Sequence, residues 1–537
     1  MSTISIYDTT LRDGTQAEDI SLSTEDKIRI TRTLDQLGVQ YIEGGWPLSN
    51  ATDRQYFQEI RNYELKHSLI TAFGSTHNPK QAAENDQNLA SVLEVGTPVV
   101  TLFGKTWDVH VREALRTTNE HNLQIIHDSL AFVRPHVREL FFDAEHFFDG
   151  FKGDPDFALA CLGRAAEAGA DVLVLCDTNG GTMPHEVADI VARVRASLPE
   201  ARLGIHAHND SETAVASTIE AVRAGCTQVQ GTINGFGERC GNANLCSIIP
   251  NLELKLNLRC LPEGSLQLLR TASLYVSETA NIQPFHRQPY VGRSAFAHKG
   301  GIHVSAVTKN PRTYEHIDPA AVGNKQRILL SDLSGRSNIL FKARQYGFEL
   351  DRDDPFVMEL LAELKKRENL GYEYASAEAS FELILNKTLG RARKYFEITS
   401  FRVLDLFPAP GGGPCSEATV VVRVGGHTEH TAASGRGPVN ALDNALRKAL
   451  EGIYPNLKEM SLKDFKVRVL PAIADANGGT ASNVRVLIES GDARSNWITV
   501  GLSHNIIEAS KEALEDSFNY KLFSDDREKL TRALKNA

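Results

Sequence analysis

From residue 3 to about 235 the chain alternates short apolar, β-branched runs with stretches whose apolar positions recur every three to four residues. Eight runs read as strands: Thr3–Tyr7, Tyr41–Gly44, Ser68–Phe73, Val99–Phe103, Glu139–Asp143, Asp171–Cys176, Arg202–His206 and Thr227–Thr232. A helical pattern follows each of the first seven. The clearest has Val187, Ile190, Val191 and Val194 at i, i+3, i+4 and i+7, opened by Thr182 and Pro184. Another opens at Ser23, with Asp26 three residues on as in a capping box, and stops at Gly38. Alternating strands and helices imply a parallel sheet with helical crossovers. Eight repeats in roughly 250 residues suit a closed (β/α)8 TIM barrel, an α/β fold. An open doubly wound sheet is the alternative.

The pattern changes after the repeats, giving expected domains of 1–260 for the barrel, 261–395, 396–522 and 523–537. Residues 261–395 read as helical connecting subdomains. Tyr395–Phe407 reads as a strand, and the Pro/Gly-rich stretch PAPGGGP (408–414) as a loop. From Glu417 the chain weakly repeats itself. EATVVVRVGGHTEHTAASGRGPVNALDNALRKAL and, about 65 residues later, SNVRVLIESGDARSNWITVGLSHNIIEASKEAL each give strands and then a helix. Two βββα-like units should pair into one α+β domain, with helices starting near Pro438 and His504. The tail after Ser524 is charged and expected to be loose.

Composition narrows the partners. The net charge is −10 and basic residues are scattered, which turns the reading away from nucleic acid and anionic membrane. No run of 18 apolar residues is long enough to span a bilayer. The seven cysteines form no C-x-x-C pair, and no secretory pattern opens the chain, so a reducing cytoplasm is expected.

A barrel of this kind carries its chemistry at the carboxyl ends of its strands, and polar residues cluster there. Strand one is followed by D-T-T-L-R-D-G with Arg12 and Asp13; strand two ends at Glu43, strand five at Asp143-Ala144-Glu145-His146, strand six at Asp177-Thr178-Asn179. Strand seven runs into His206-Ala207-His208-Asn209-Asp210, and G-F-G-E-R-C-G-N ends at Asn242. The period of a strand puts His206 and His208 on one side. With Asp13 and the Asn242 amide oxygen they form a candidate metal set suited to Mg²⁺, Mn²⁺, Zn²⁺ or Co²⁺ without choosing among them. Asp210 reads either as a partner orienting a histidine or as the cap of a helix near Ser211. Arg12 reads as a fork for a substrate carboxylate or enolate oxygen, or as a rim ion pair to Glu43 or Asp177. Glu145, between apolar and acidic neighbours, is a general-base candidate, and Thr178 either a hydroxyl donor or a turn residue. The segments F-A-H-K-G-G-I-H-V-S-A (296–306) and T-Y-E-H-I-D-P (313–319) read by themselves as solvated loops.

Together these motifs resemble the acyl-CoA-dependent Claisen-condensing enzymes: the 2-isopropylmalate, homocitrate and citramalate synthases, with hydroxymethylglutaryl-CoA lyase a barrel relative. The carriers are D-T-T-L-R-D-G-x-Q (8–16), H-A-H-N-D (206–210) and G-x-G-E-R-x-G-N-A (235–243), and the resemblance extends over nearly the whole chain. E-G-G-W-P (43–47), F-G-K-T-W-D (103–108) and F-D-A-E-H-F-F-D-G (142–150) resemble the citramalate branch. The resemblance implies a metal on Asp13, His206, His208 and Asn242. It puts Arg12, Thr178 and Glu43 at the 2-oxo acid, and Glu145, His303 and Tyr314, with Arg12, in the catalysis. The substrates would be acetyl-CoA and pyruvate, the product citramalate on a route to isoleucine, and the chain an obligatory homodimer with His303 and Tyr314 crossing to a partner barrel. The C-terminal repeat is similar to an amino-acid-binding regulatory domain, for which isoleucine is the first effector and leucine the second. Rival readings are 2-isopropylmalate or homocitrate synthase, a carbon–carbon lyase, and an amino-acid sensor with an inactive barrel.

Overall fold

The computed structural model describes residues 3–329, 340, 355–374, 377–391, 393–406, 415–470 and 482–535. The PAPGGGP stretch lies outside them. The chain divides into two compact units: Met1–Phe296 with Glu315–Gln326, and Ala297–Tyr314 with Arg327–Ala537.

The first unit is a closed barrel of eight parallel strands in sequence order: β1 (Ser5–Asp8), β2 (Tyr41–Gly45), β3 (Leu69–Ser75), β4 (Val99–Lys105), β5 (Glu139–Glu145), β6 (Val172–Asp177), β7 (Leu203–Ala207) and β8 (Gln228–Gly231). β1 closes on β8, with Tyr7 beside Gln230. The helix Thr24–Leu37 starts in the expected capping box, Ser23 receiving from the Asp26 N–H and Asp26 from the Ser23 N–H, and ends at Gly38 with φ of 91°. Side chains of one parity point out and pack under the helices, as Leu140, Phe142 and Ala144 do on β5. The other parity points into the barrel. Its lower interior is plugged by Tyr7, Tyr41, Val99, Phe141, Val172 and Val174, with Tyr41 and Phe141 edge to face at 5.1 Å. That plug leaves open only the carboxyl end, where the same parity supplies the polar residues.

In the second unit, β9 (Ala297–His298) pairs with β10 (Arg327–Ile328), and helices Gly301–Lys309, Pro355–Leu370 and Glu378–Thr388 follow the chain. Two antiparallel sheets come next: β11 (Glu397–Leu406), β12 (Cys415–Val424) and β13 (His427–Gly435), then β14 (Ser461–Val469), β15 (Val484–Gly491) and β16 (Asn496–Ser503). Each is followed by a helix, Pro438–Leu450 and Ile506–Lys535. Val420 and Leu446 of one βββα unit share a core with Ile488, Trp497 and Phe518 of the other, so the repeat is a single α+β domain. The second helix starts two residues after His504, and it does not end where a loose tail was expected: it runs to Lys535. Several charges among its described residues are paired. Lys521 meets Asp492 at 2.6 Å and Asp525 at 3.1 Å, and Arg527 meets Glu382. Among the described residues no helix is long and apolar enough to cross a membrane.

Candidate active site

Asp13, His206 and His208 are buried and converge, their ligand atoms within 4.8 Å of one another. His206 Nε2 stands 3.4 Å from Asp13 Oδ2, and His208 Nε2 3.9 Å. Strand period two aims both imidazoles inward from the end of β7. Asn242 is brought alongside by its bridge to His208. Its Nδ2 donates to the Phe236 carbonyl at 3.1 Å, and Gly237 at φ of 155° leaves room, since a Cβ there would meet that Nδ2 at 2.2 Å. Asp13 Oδ1 and Asn242 Oδ1 are buried without a hydrogen-bond partner among the described residues, an arrangement that a cation would satisfy. Burial together with the neighbouring His206 pushes His208 down to about 4, so it is neutral and able to ligate. Burial would raise Asp13, but Arg12 and the two histidines outweigh it and hold it at about 2. Two imidazoles, a carboxylate and an amide oxygen fit a divalent cation.

Arg12 forms the ion pair to Glu43 that one of its readings expected, and it lines the cavity. Its Nε donates to Glu43 Oε1 at 2.5 Å, and its guanidinium lies 3.8 Å over the Phe73 ring. Glu43 corrects the expectation of a substrate contact. Its carboxylate is fully buried, also receives the hydroxyls of Tyr7 and Thr9, and does not line the cavity; it anchors Arg12. The cavity holds about 250 Å³ and is lined by Arg12, Asp13, Asp143, Glu145, Thr178 and both histidines, with a wall of Trp46, Phe73 and Phe103. Phe73 and Phe103 stack at 5.2 Å, and Trp46 meets each edge-on at 6.0 and 5.6 Å.

Glu145 departs from its expected surroundings: it is ion-paired with Lys105, its register partner on β4. Thr178 Oγ1 accepts the His146 N–H at 2.8 Å, so its own proton is free to donate. Asp210 follows neither reading. It takes Arg239 through both oxygens at 2.7 and 3.0 Å, while the first N–H of the helix that begins at Ala214 donates to Asn209 Oδ1 at 3.2 Å. His303 and Tyr314 belong to the second unit, exposed, with rings stacked at 4.2 Å.

The sequence reading gave no role to Gln230, Asp143, Lys105 or the aromatic wall. Gln230 had a signal: Gln228 and Gln230 alternate about Val229, so two amides share one side of β8.

Residues 3–274 match the HMGL-like family, 290–370 the homocitrate synthase post-HMGL domain-like family, and 376–522 the LeuA allosteric (dimerisation) domain. The chain is 56% identical over 522 residues to the (R)-citramalate synthase of Geobacter sulfurreducens, covering 97% of this chain and 98% of that one. It is 51% identical over 523 residues to that of Aquifex aeolicus, covering 97% and 98%. Identity to the 2-isopropylmalate synthase of Methanocaldococcus jannaschii is 28% over 521 residues, covering 96% and 94%.

Proposed function

This chain belongs to the (R)-citramalate synthases of the HMGL-like family, and on that premise we propose how its barrel condenses acetyl-CoA with pyruvate to give citramalate and CoA. The observation that carries the reading is the convergence of Asp13, His206 and His208 at one end of a cavity walled by Trp46, Phe73 and Phe103. In this reading the floor takes the 2-oxo acid, and the aromatic wall limits its side chain to little more than a methyl group.

Asp13, His206, His208 and Asn242 would hold the cation, with Mg²⁺, Mn²⁺, Zn²⁺ and Co²⁺ all compatible with these donors. When bound it supplies Lewis acidity toward the keto carbonyl. Arg12, fixed by Glu43, presents its remaining N–H groups to the oxygen that becomes an alkoxide. The Thr178 hydroxyl donates to the substrate carboxylate. Glu145, with His303 and Tyr314, handles the protons: one leaves the acetyl methyl, the enolate carbon bonds to C2 of pyruvate, and the alkoxide takes one up. Water then cleaves the thioester into carboxylate and CoA thiol. A second cavity of about 610 Å³ shares Trp46 and Phe103 with the first and is otherwise lined by residues such as Ser75, His77, Asn78 and Lys105. We place the acyl-CoA arm there.

The LeuA-type match over 376–522 supports a homodimer under feedback control by isoleucine, with leucine as second choice. We place the enzyme in the cytosol, where its free thiols would persist. A thiol-release assay with acetyl-CoA against pyruvate, 2-oxoisovalerate and 2-oxoglutarate tests the reading. Pyruvate should win by kcat/KM; equal use of 2-oxoisovalerate would overturn the assignment of the wall.

A further inference from the structure

A neutral imidazole has one N–H, and a ligating histidine must keep its lone pair on the nitrogen facing the cation. His206 is 5 % exposed and has its Nε2 toward Asp13 and His208. Among the described residues its Nδ1 has one hydrogen-bond partner, Gln230 Oε1, at 2.9 Å. An amide oxygen only accepts, so the proton sits on Nδ1 and the Nε2 lone pair is exposed to the site. The amide is itself held. Gln230 Nε2 donates to Asp143 Oδ1 at 3.0 Å, across the barrel from β8 to β5. In this orientation both ends of the amide are satisfied, its N–H by Asp143 Oδ1 and its oxygen by the ring N–H. Gln230 is wholly buried, so neither end finds water instead.

We propose that Gln230 is a positioning residue that sets the tautomer of His206, and that Asp143 sets the orientation of Gln230. The role rests on the metal-site reading only for its consequence; the tautomer is a property of the metal-free protein as well. Asp143 also lines the cavity, so the carboxyl beneath the substrate is the one that orients a ligand.

The test uses the full-length chain, deuterated and labelled with ¹⁵N-histidine, in excess chelator. Long-range proton–nitrogen correlations report which ring nitrogen of His206 carries the proton, the resonances being assigned by their loss in His206→Gln. The wild type should show the Nδ1–H form. Gln230→Met, which keeps the bulk and removes both hydrogen bonds, should release the ring to the Nε2–H form. Asp143→Asn retains an acceptor and should keep the wild-type tautomer, whereas Asp143→Leu should not; that pair decides the point should Gln230→Met fail to fold. In parallel, Mn²⁺ affinity measured by chelator competition should fall about 10–100-fold in Gln230→Met and stay within about threefold in Asp143→Asn. An Nε2–H tautomer in the wild type, or an unchanged Nδ1–H tautomer in both folded Gln230→Met and Asp143→Leu, would overturn the proposal. If His208→Ala binds Mn²⁺ as the wild type does, the metal-site reading falls, and the tautomer result still decides the role of Gln230.

Discussion

Replacing Phe103 by alanine tests the aromatic wall while leaving the Arg12 platform on Phe73 in place. Phe73 and Phe103 stack on one another, but only Phe73 lies beneath the Arg12 guanidinium. Phe103 is half-buried, and its ring faces Lys105 Nζ at 5.4 Å, so the selectivity ratio between oxo acids, and not kcat alone, is the readout. Removing the ring opens the wall where 2-oxoisovalerate, with two more methyl groups than pyruvate, would collide. A methylene that a pocket can accommodate is worth about 1–3 kcal/mol, or roughly 10–200-fold in kcat/KM. The preference for pyruvate over 2-oxoisovalerate should therefore fall by about 10–200-fold. The stability cost should stay below the ~3 kcal/mol of a fully buried Phe→Ala change, because this ring is only partly buried. Phe73→Ala is the contrast: it opens the same wall but removes a cation–π platform worth about 0.5–2 kcal/mol, so kcat with pyruvate should fall as well. The assay is thiol release under subsaturating oxo acid, with melting curves to confirm folding. A selectivity ratio within twofold of wild type in folded Phe103→Ala would refute the wall as the size filter.

Three other outcomes are expected. If the segment bearing His303 and Tyr314 crosses between subunits, His303→Ala and His206→Ala homodimers should both be inactive, and a mixed dimer should regain one intact site; verified heterodimers with no activity would exclude the crossing. Isoleucine should bind the full chain by calorimetry and inhibit by about 5–150-fold at saturation, the usual range of coupling between sites; no heat with isoleucine, leucine or valine would leave the C-terminal domain a purely structural role. Burial raises Asp516 to about 7, the Ser380 hydroxyl only partly offsetting it and Glu512 and Glu515 adding to it. Its unfolded form ionises near 4, so unfolding releases a proton between about pH 4 and 7. Stability is therefore full below that window and is lost as pH rises through 7, by at most about 4 kcal/mol. Asp516→Asn should flatten this dependence and raise the melting temperature near pH 8; an unchanged pH slope would count against the buried acid.

How much of this was legible follows from what each signal depends on. The barrel strands were readable because each is a local apolar run, and the ends of the Thr24–Leu37 helix because caps are local. His206 and His208 declare their common side through strand period alone. Register is different. Lys105 meets Glu145 because β4 and β5 pair in one register, which closure of the barrel sets and neither strand encodes by itself. For that reason Glu145 was expected among acids and apolar groups and was found with a cation. Asp210 sits where a cap belongs, yet Asn209 accepts the Ala214 N–H because the Glu238–Gly241 loop brings Arg239 to Asp210 from 29 residues away. The helix beyond Ser524 looked like a solvated tail because its charges, Asp525 and Arg527 among them, are visible in sequence and their partners, Arg494 and Glu382, are not.

The account's central claim is that a divalent cation on Asp13, His206 and His208 is required for condensation. The direct measurement is activity against occupancy: chelator-stripped protein is titrated with Mn²⁺ while thiol release from acetyl-CoA and pyruvate is followed. The rate should rise from near zero and saturate at one cation per barrel, and His208→Ala should stay inactive throughout. Full activity of stripped protein, or of His208→Ala at any metal concentration, would contradict the account.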